Sequence, residues 1–490
     1  MSVDVSALSR VLGIDVTPRN FNVGSAVFLP QRIAIIGQGN SNAQYTLDKY
    51  SVTTLGDVAE KYGYGSPIHL ACRMLFPTNN DGIGGIPVTI YPLTDKKSSV
   101  AANGEIIVRG NATEQKSVKI YIGGIACQFL VSKGDNADSV LTKIKTSIDS
   151  VLEMPVTTGE ISDSKLPITA KWKGESGNQI SIDISEAIVK GLTFSMTKFA
   201  NGALNPDVDT ALNKIGEVWE TFILNLLNYD DEDTLSKYRN FGEGRWNNLI
   251  RKPCLVANGC TDDFNTRTAI TNGDAQITDR INFLITSVGS RELPFCIAAR
   301  GLAKDIVSTA NNNPPQNYKG YLTQLEAGKD EEQEDYTVRN NAVKLGSSTN
   351  IKVGNTAVLN DIVTFYHPAN DDIGVYKYVC DLVKIMNVLF NCELIFASDE
   401  WKGAPLLPDS AVTENPTAKQ PKNAKAALMT LADSLEKNAI ISDKEFTKAN
   451  ITASIDKQNP KRINWTFPVK ISGNVEIISG DIYVGVYLEK

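Results

Sequence analysis

Hydrophobic and polar positions change their period repeatedly along this chain, and each change marks an element. Residues 32–36 (RIAII) form a short β-branched apolar run that ends at Gly37, the pattern of a strand buried on both faces. The period then becomes helical. Thr54 is placed to cap a helix through Leu55, Val58, Ala59 and Tyr62 that stops at Gly63, and Ser66-Pro67 opens a second helix through Leu70, Met74 and Leu75 to Pro77. Val88–Tyr91 adds a strand, so the segment begins as βααβ, the start of an α/β domain.

From about residue 98 to residue 200 the pattern shifts to short alternating strands, at 105–109, 118–122, 168–172, 180–184 and 192–197. One helix interrupts them, residues 137–152, with Val140, Leu141, Ile144 and Ile148 at helical spacing. The stretch reads as a β-rich domain inserted into the first one and ending near Asn205-Pro206. Past Asp207 the βα alternation returns, with strands expected at 222–227, 254–257, 281–286 and 295–298 and helices at 208–214, 234–248, 263–274 and 301–311. Pro314-Pro315 and the acidic run from Asp330 to Asp335 mark an exposed connection before a short helix at 338–345. Longer helices are expected at 375–390 and 424–436, separated by a proline-rich loop.

The two ends differ from everything between them. Residues 1–30 hold short apolar pieces around Val11, Ile14, Val16, Phe21 and Val23, broken by Gly13, Pro18, Asn20, Asn22 and Gly24. Such a segment is either a frayed terminus or a strand that pairs with something outside its own core. At the other end, residues 462–490 read as a closing strand pair. There Ile482, Val484, Val486 and Leu488, with Ile477 upstream, alternate with Tyr483 and Tyr487, which suggests a strand with one edge open to another chain.

Composition narrows the class. At 490 residues the chain exceeds one ordinary core, and 42% apolar with 21% charged residues is globular. A formal charge of -7 without a basic tract disfavours direct nucleic-acid binding. No apolar run reaches the roughly 18 residues of a membrane span, and MSVDVSALSRVLGID lacks the basic start and apolar core of a signal peptide, so no membrane insertion is expected. Cys72, Cys127, Cys254, Cys260, Cys296, Cys380 and Cys392 are widely scattered without a CxxC pair and read as free core thiols in a reducing compartment.

The candidate chemistry is sparse. Gly37-Gln38-Gly39-Asn40 follows a buried strand, as in dinucleotide sites, but Asn42 stands at the third glycine position and residues 43–52 start no helix that would hold a phosphate. His69 and His367 are the sole histidines and neither sits in a ligand cluster. Asp230-Asp231 and Asp262-Asp263 suit helix N-caps better than acid and base work. No catalytic residue, cofactor or metal ligand is expected.

The segments LPQRIAIIGQGN (Leu29–Asn40), YGYGSPIHLACRMLFP (Tyr62–Pro77), GIPVTIYPL (Gly85–Leu93) and GRWNNLIRKPCLVANGCTDD (Gly244–Asp263) resemble, in order and spacing, the tail sheath proteins of contractile bacteriophages, the Mu-like type in particular. The resemblance covers most of residues 25–310. It implies a structural subunit of the virion, assembled in the host cytoplasm, that forms hexameric rings stacked around a tail tube. Its implied partners are further copies of itself, the tail tube protein, and baseplate and tail terminator proteins. It further implies that the terminal arms add strands to sheets of neighbouring subunits and that the inserted domain faces outward.

The expected fold is therefore α/β, α+β overall: a core with a mixed sheet and helices on both faces (residues 31–97 and 206–325), a β-rich insertion (98–205), a C-terminal domain (326–473), and strand arms at 1–30 and 474–490. Alternative readings are the sheath of a related contractile injection or secretion system, and a nucleotide-binding α/β enzyme.

Overall fold

The structure, a computed structural model, describes residues 26–77, 82–247, 250–311, 318, 320, 322–370 and 374–475. The opening alternation becomes β1 (Ile33–Gln38), β2 (Tyr50–Ser51), α1 (Leu55–Tyr62), α2 (Pro67–Leu75) and β3 (Val88–Leu93). Thr54 and Ser66 cap the two helices by accepting from the amides of Asp57 and His69. Pro67 sits at the first helical position, where its missing N–H has no partner to lose.

The chain then leaves this sheet through β4 (Asn103–Gly110), β5 (Lys116–Ile122), β6 (Ile125–Val131), α3 (Ala137–Ser150), β7 (Val156–Thr158), β8 (Lys165–Ala170), β9 (Ile182–Asp183) and β10 (Leu192–Ala200). These build a four-stranded sheet, β10-β4-β8-β7, and a three-stranded sheet, β6-β5-β9, antiparallel throughout. Alternate residues such as Ile106, Val108, Val118, Ile120, Leu166 and Ile168 are buried, and α3 buries the stripe Val140, Leu141, Ile144 and Ile148. Two expected strands have bounds that differ from their apolar runs. The run at 168–172 belongs to β8, which ends at Ala170, and the run at 180–184 follows a 3-10 turn (Glu175–Gln179) and pairs only at Ile182–Asp183.

The return path supplies α4 (Asp209–Ile215), β11 (Phe222–Asn225), α5 (Glu232–Arg245), β12 (Leu255–Cys260), α6 (Phe264–Thr271), β13 (Asn282–Thr286) and α7 (Pro294–Asn311). The core sheet has the order β13-β12-β11-β1-β3-β2 and is parallel except for β2. On one face Ala34, Ile36, Ile223 and Val256 pack with Val208, Ala211, Leu212 and Ile215 at α4 and with Tyr238 of α5. On the other, α7 lies on β11, β12 and β13 and against α2, which covers β1. This burial explains why the strand expected at 295–298 is the first turn of α7 instead. Residues 293–300 are all buried between sheet and α2, so the helix has no polar stripe to reveal its period.

A buried polar ladder crosses the sheet. Asn225 Nδ2 donates to Asn258 Oδ1 (2.8 Å), Asn258 Nδ2 to Asn282 Oδ1 (3.3 Å), and Asn282 Nδ2 to Asp279 Oδ2 (2.7 Å), linking β11, β12 and β13 side by side. Tyr238 of α5 donates to Asn225 Oδ1 (3.2 Å) and closes the far end.

Beyond α7 come β14 (Leu322–Glu326), α8 (Tyr336–Lys344), β15 (Thr349–Val353) and β16 (Thr356–Asp361), with the antiparallel order β14-β16-β15, and then α9 (Val379–Phe396). The chain divides into two compact units; among the described residues the first holds 28–311, 318, 320 and 322–389, and the second 26–27 and 390–475. Residues 326–389, grouped with the C-terminal part from sequence, thus pack within the first unit. The second unit contains α10 (Pro421–Lys437), α11 (Lys444–Asn450), β17 (Thr452–Ile455) and β18 (Ile463–Thr466). Its core is the α10 stripe Ala424, Leu428, Leu431, Ala432 and Leu435, with Ile440, Ile441 and Ile451 buried beside it. Asn391 holds Val27 in this unit through both backbone groups, accepting from its amide at 2.6 Å and donating to its carbonyl at 2.8 Å. Among the described residues no helix is long and apolar enough to cross a membrane.

Candidate functional site

In an open parallel sheet, ligands bind where the strand order reverses, outside the carboxyl ends of the strands. Here β3 follows β1 on one side and β11 joins it on the other, so the reversal lies between β1 and β11. That place is filled. A Cβ on Gly37 would sit 2.5 Å from Leu226 Cδ1, so the glycine serves close packing of a side chain. Gln38 Nε2 donates to Asp95 Oδ1 (2.6 Å) and to the carbonyl of Lys173 (2.9 Å), which comes from the inserted segment. Gly39 donates its amide to the Tyr45 hydroxyl (3.0 Å) and Asn40 donates to the carbonyl of Tyr64 (2.9 Å). Asn205 adds a bond to Asn228 Oδ1 (2.6 Å) and another to Asp231 Oδ2 (2.8 Å) at the carboxyl end of β11. The backbone groups that a nucleotide would need are engaged by the chain itself.

The other candidate residues have structural surroundings. His69 is buried, its Nδ1 accepts from the Gly65 amide (3.1 Å), and desolvation, aided by Arg73 and Lys171, pushes its pKa down to about 4. The His367 ring bridges the Phe365 carbonyl and Asn272 Oδ1, and burial lowers its pKa. Asp231 and Asp263 cap α5 and α6 by accepting from Thr234 and Thr266 amides. Asp262 accepts from the Tyr229 hydroxyl (2.6 Å). The cysteines are free and buried, and burial pushes the Cys254 thiol up to about 12. Among the described residues no group of acids, histidines and cysteines is arranged to hold a metal ion.

The second unit carries a different kind of site. β17 and β18 pair in the register Thr452↔Thr466, Ala453↔Trp465, Ser454↔Asn464 and Ile455↔Ile463. Asp456 shapes the connecting loop, because its Oδ1 accepts from the amides of Gln458 (2.8 Å) and Asn459 (2.9 Å) and its Oδ2 from Asn464 Nδ2 (2.8 Å). The same bonds, led by Asn464, hold its carboxyl below the usual range. Thr452, Ser454, Asn464 and Thr466 face solvent, while Ala453, Ile455, Ile463 and Trp465 are half-buried. The sheet has two strands only, and no backbone hydrogen bond leaves either outer edge among the described residues. Unpaired edges of this kind accept strands from other chains.

Beside β18 lies an open groove of about 230 Å³ lined by Phe396, Trp401, Ala404, Leu406, Lys419, Lys461, Ile463 and Trp465. Phe396 stacks on Trp465 with ring centroids 5.2 Å apart and meets Trp401 edge-on at 5.1 Å. Lys419 lies 5.3 Å from the Trp401 ring centre and pairs with Glu400 at 3.2 Å.

No family model matches the chain. Its sequence is 23% identical over 390 residues to the Mu-like prophage FluMu tail sheath protein of Haemophilus influenzae, covering 76% of this chain and 77% of that protein. The chain is similar to a Mu-like prophage tail sheath protein. Solved structures with a similar course include the sheath tail proteins of Listeria innocua (11% identical, 91% of this chain and 93% of that chain, TM-score 0.49) and Desulfitobacterium hafniense (11%, 94% and 97%, TM-score 0.48). The arm residues singled out from sequence, Val11, Ile14, Val16, Phe21, Val23, Ile477, Ile482, Val484, Val486 and Leu488, lie outside the described residues. β18 lies inside the closing strand pair expected at 462–490, but its partner β17 was missed; the signal for β17 is the alternation of 452–455 before a turn seeded by Asp456, Asn459 and Pro460.

Proposed function

We propose that this chain is a structural subunit of a contractile bacteriophage tail sheath. What carries the reading is the β17–β18 hairpin, whose outer edges bond to nothing among the described residues, in a chain similar over 76% of its length to a tail sheath protein. Subunits form rings of six that stack helically around the tail tube. Terminal arms, the parts of 1–30 and 474–490 that lie outside the described residues (1–25 and 476–490), add as strands to hairpins of neighbouring copies. Strand addition makes many backbone bonds with little demand on side chains, so the links persist while subunits shift as rigid bodies. The extended sleeve is a metastable packing that shortens when the baseplate triggers it, driving the tube through the host envelope, and the energy comes from interfaces better matched in the shorter lattice. The sleeve is assembled in the host cytoplasm with tail tube, baseplate and tail terminator proteins and ends in the virion. The inserted domain faces outward.

Negative-stain electron microscopy of the purified chain, before and after mild heat or salt, tests this reading. Hollow striated tubes are expected. Discrete particles under every condition, together with thermal stabilisation by a nucleotide, would favour the enzyme alternative instead.

A further inference from the structure

The inserted segment carries two sheets, and their outer strands are guarded unequally. Ser147 of α3 donates to the Gln128 carbonyl of β6 (3.1 Å), and Lys145 reaches past the three-residue β7 to Thr158 Oγ1 (3.0 Å) and the Gly159 carbonyl (2.9 Å). β10 has no such cover. It runs for nine residues at the edge of the β10-β4-β8-β7 sheet, and no backbone hydrogen bond leaves its outer edge among the described residues. Phe194 and Met196 lie opposite the fully buried Val108 and Ile106 of β4, yet are themselves only half-buried. A long edge with a half-covered apolar row invites another strand. The features that usually blunt such an edge come late: the register irregularity lies between Thr197 and Ala200, with Lys198 inside it, and residues 192–197 pair regularly on β4.

The order of residues in β10 points to its partner. Outward from Ser195 the strand is nearly the same in both directions, Phe194 matching Met196 and Thr193 matching Thr197. An antiparallel second copy centred on Ser195 sets Phe194 against Met196 of that copy on the apolar face and Thr193 against its Thr197 on the polar face, both favourable cross-strand pairs. Lys198 then meets Leu192 and no other lysine. Charge selects the same centre. In the β4–β10 register Arg109 lies beside Thr193 and Glu105 beside Thr197. One row across the paired sheet therefore runs from Arg109 through Thr193 to Thr197 and Glu105 of the second copy, about 14 Å in all, a span that arginine and glutamate side chains can close. Arg109 is exposed and has no ion pair among the described residues, and Glu105 holds Lys165 (3.2 Å) through one oxygen, leaving the other. A centre on Phe194 would put Ile107 in the place of Glu105 and lose the charge match.

We infer that the outer edge of β10 is an interface between two copies of this chain, paired antiparallel about Ser195. The pairing stands apart from the sheath reading, but one consequence rests on it. A two-fold axis turns one copy against the other, whereas rings stacked head to tail in a sleeve all point one way. The β10 pair therefore belongs to copies outside a sleeve and opens before they enter one.

The test uses the full chain in a buffer where no tubes form, with its mass read by sedimentation velocity. A concentration-dependent dimer is expected. Thr193→Lys with Thr197→Lys, both at exposed positions, sets lysine against lysine and should make the chain monomeric, whereas Thr193→Lys with Thr197→Glu sets lysine against glutamate and should restore the dimer. Arg109→Ala should weaken the dimer roughly fivefold, because the charge row occurs twice in it. Ser195→Cys should give a disulfide-linked dimer on oxidation with copper phenanthroline, since the two copies of that residue meet on the axis and the native cysteines are buried. Thr193→Cys should not, because its counterpart lies about 13 Å along the strands. A monomer at every concentration, or a dimer indifferent to the lysine pair, would overturn the interface. Disulfide dimers forming as readily from position 193 as from 195 would overturn the register. The oxidised Ser195→Cys dimer should stay out of tubes until reduced, and tubes built from it would overturn the exclusion from the sleeve. Tubes from a strictly monomeric chain would leave the sheath reading standing while this inference fails, and a β10 dimer in a chain that never forms tubes would do the reverse.

Discussion

Asn225 and Asn258 are joined side chain to side chain by a 2.8 Å hydrogen bond in the middle of the core sheet, where both residues are fully buried. Each amide in the ladder is both donor and acceptor, so removing one member takes a bond from each of its two neighbours in a dry interior. A buried group stripped of its partner costs about 1–3 kcal/mol. Asn258→Leu, which strands Asn282 Oδ1 and leaves Asn225 Nδ2 only its 3.3 Å bond to the Leu227 carbonyl, should therefore lower unfolding stability by roughly 1–3 kcal/mol. Chemical denaturation of the wild type and the variant measures this, and a loss below about 0.5 kcal/mol would mean that the ladder is replaceable by simple packing.

Gly37 and Leu226 offer a direct test of why a glycine follows β1. If the glycine exists for packing, Gly37→Ala forces a methyl into Leu226 and should cost about 1–3 kcal/mol. Leu226→Ala alone leaves a cavity and should cost about 2–5 kcal/mol. Together they should cost less than the sum, because the shortened side chain makes room for the new methyl. Thermal unfolding of the four proteins in the cycle measures the coupling; strict additivity would count against the packing role.

Carboxyls buried in the first unit set its pH response. Burial pushes Asp279, at the end of the asparagine ladder, up to about 6. It pushes Glu292 up to about 7 against the opposing pull of Arg73 and Arg291. A carboxyl raised in the folded state binds its proton more tightly there than in the unfolded chain, so its contribution is greatest below the ordinary range near pH 4. It is lost as pH climbs through 6 and 7. At about 1.4 kcal/mol per unit, Glu292 alone accounts for a loss of about 2–3 kcal/mol between pH 4.5 and 8. Glu292→Gln, which keeps the shape without the titration, should flatten the fall in melting temperature between pH 5 and 8. An unchanged slope in that variant would remove Glu292 as its source.

How much of this was legible in the sequence depended on whether an element kept a polar face. α1, α2 and α3 were readable because Thr54, Ser66-Pro67 and the Val140–Ile148 stripe display caps and period openly. α7 was misread at its start because Phe295–Ala299 is buried on every side, which erases the helical period. The β5–β6 hairpin was only half seen, although Gly123 and Gly124 both adopt positive φ (56° and 80°) and join Ile122 to Ile125. The glycines after β1 could be discounted as a nucleotide loop from the missing third glycine, but what fills the place, Leu226 with Lys173 and Asn205, comes from sequence-distant segments and had no local signal. β18 falls within the strand pair expected at 462–490, but its partner β17 was missed for another reason: with four residues and half-buried apolar positions, its alternation is too short to stand out.

Truncation separates linkage from folding. The core of the first unit draws on β1, β3, β11, β12 and β13 with their helices, and that of the second on the α10 stripe with Ile440, Ile441 and Ile451. Each of these cores is assembled among the described residues from other segments than 1–24 and 475–490, and Val475 is exposed. Chains lacking one of these segments should therefore stay soluble, with a melting temperature within a few degrees of the full chain, yet fail to polymerise in sedimentation and electron microscopy. Losing either arm alone should suffice, because a mesh with one of its strands missing no longer connects each ring to the next. Tubes formed by both truncated chains would show that side-to-side packing holds the sleeve without strand links. A collapse in melting temperature would instead assign the missing segment to the core of its own subunit.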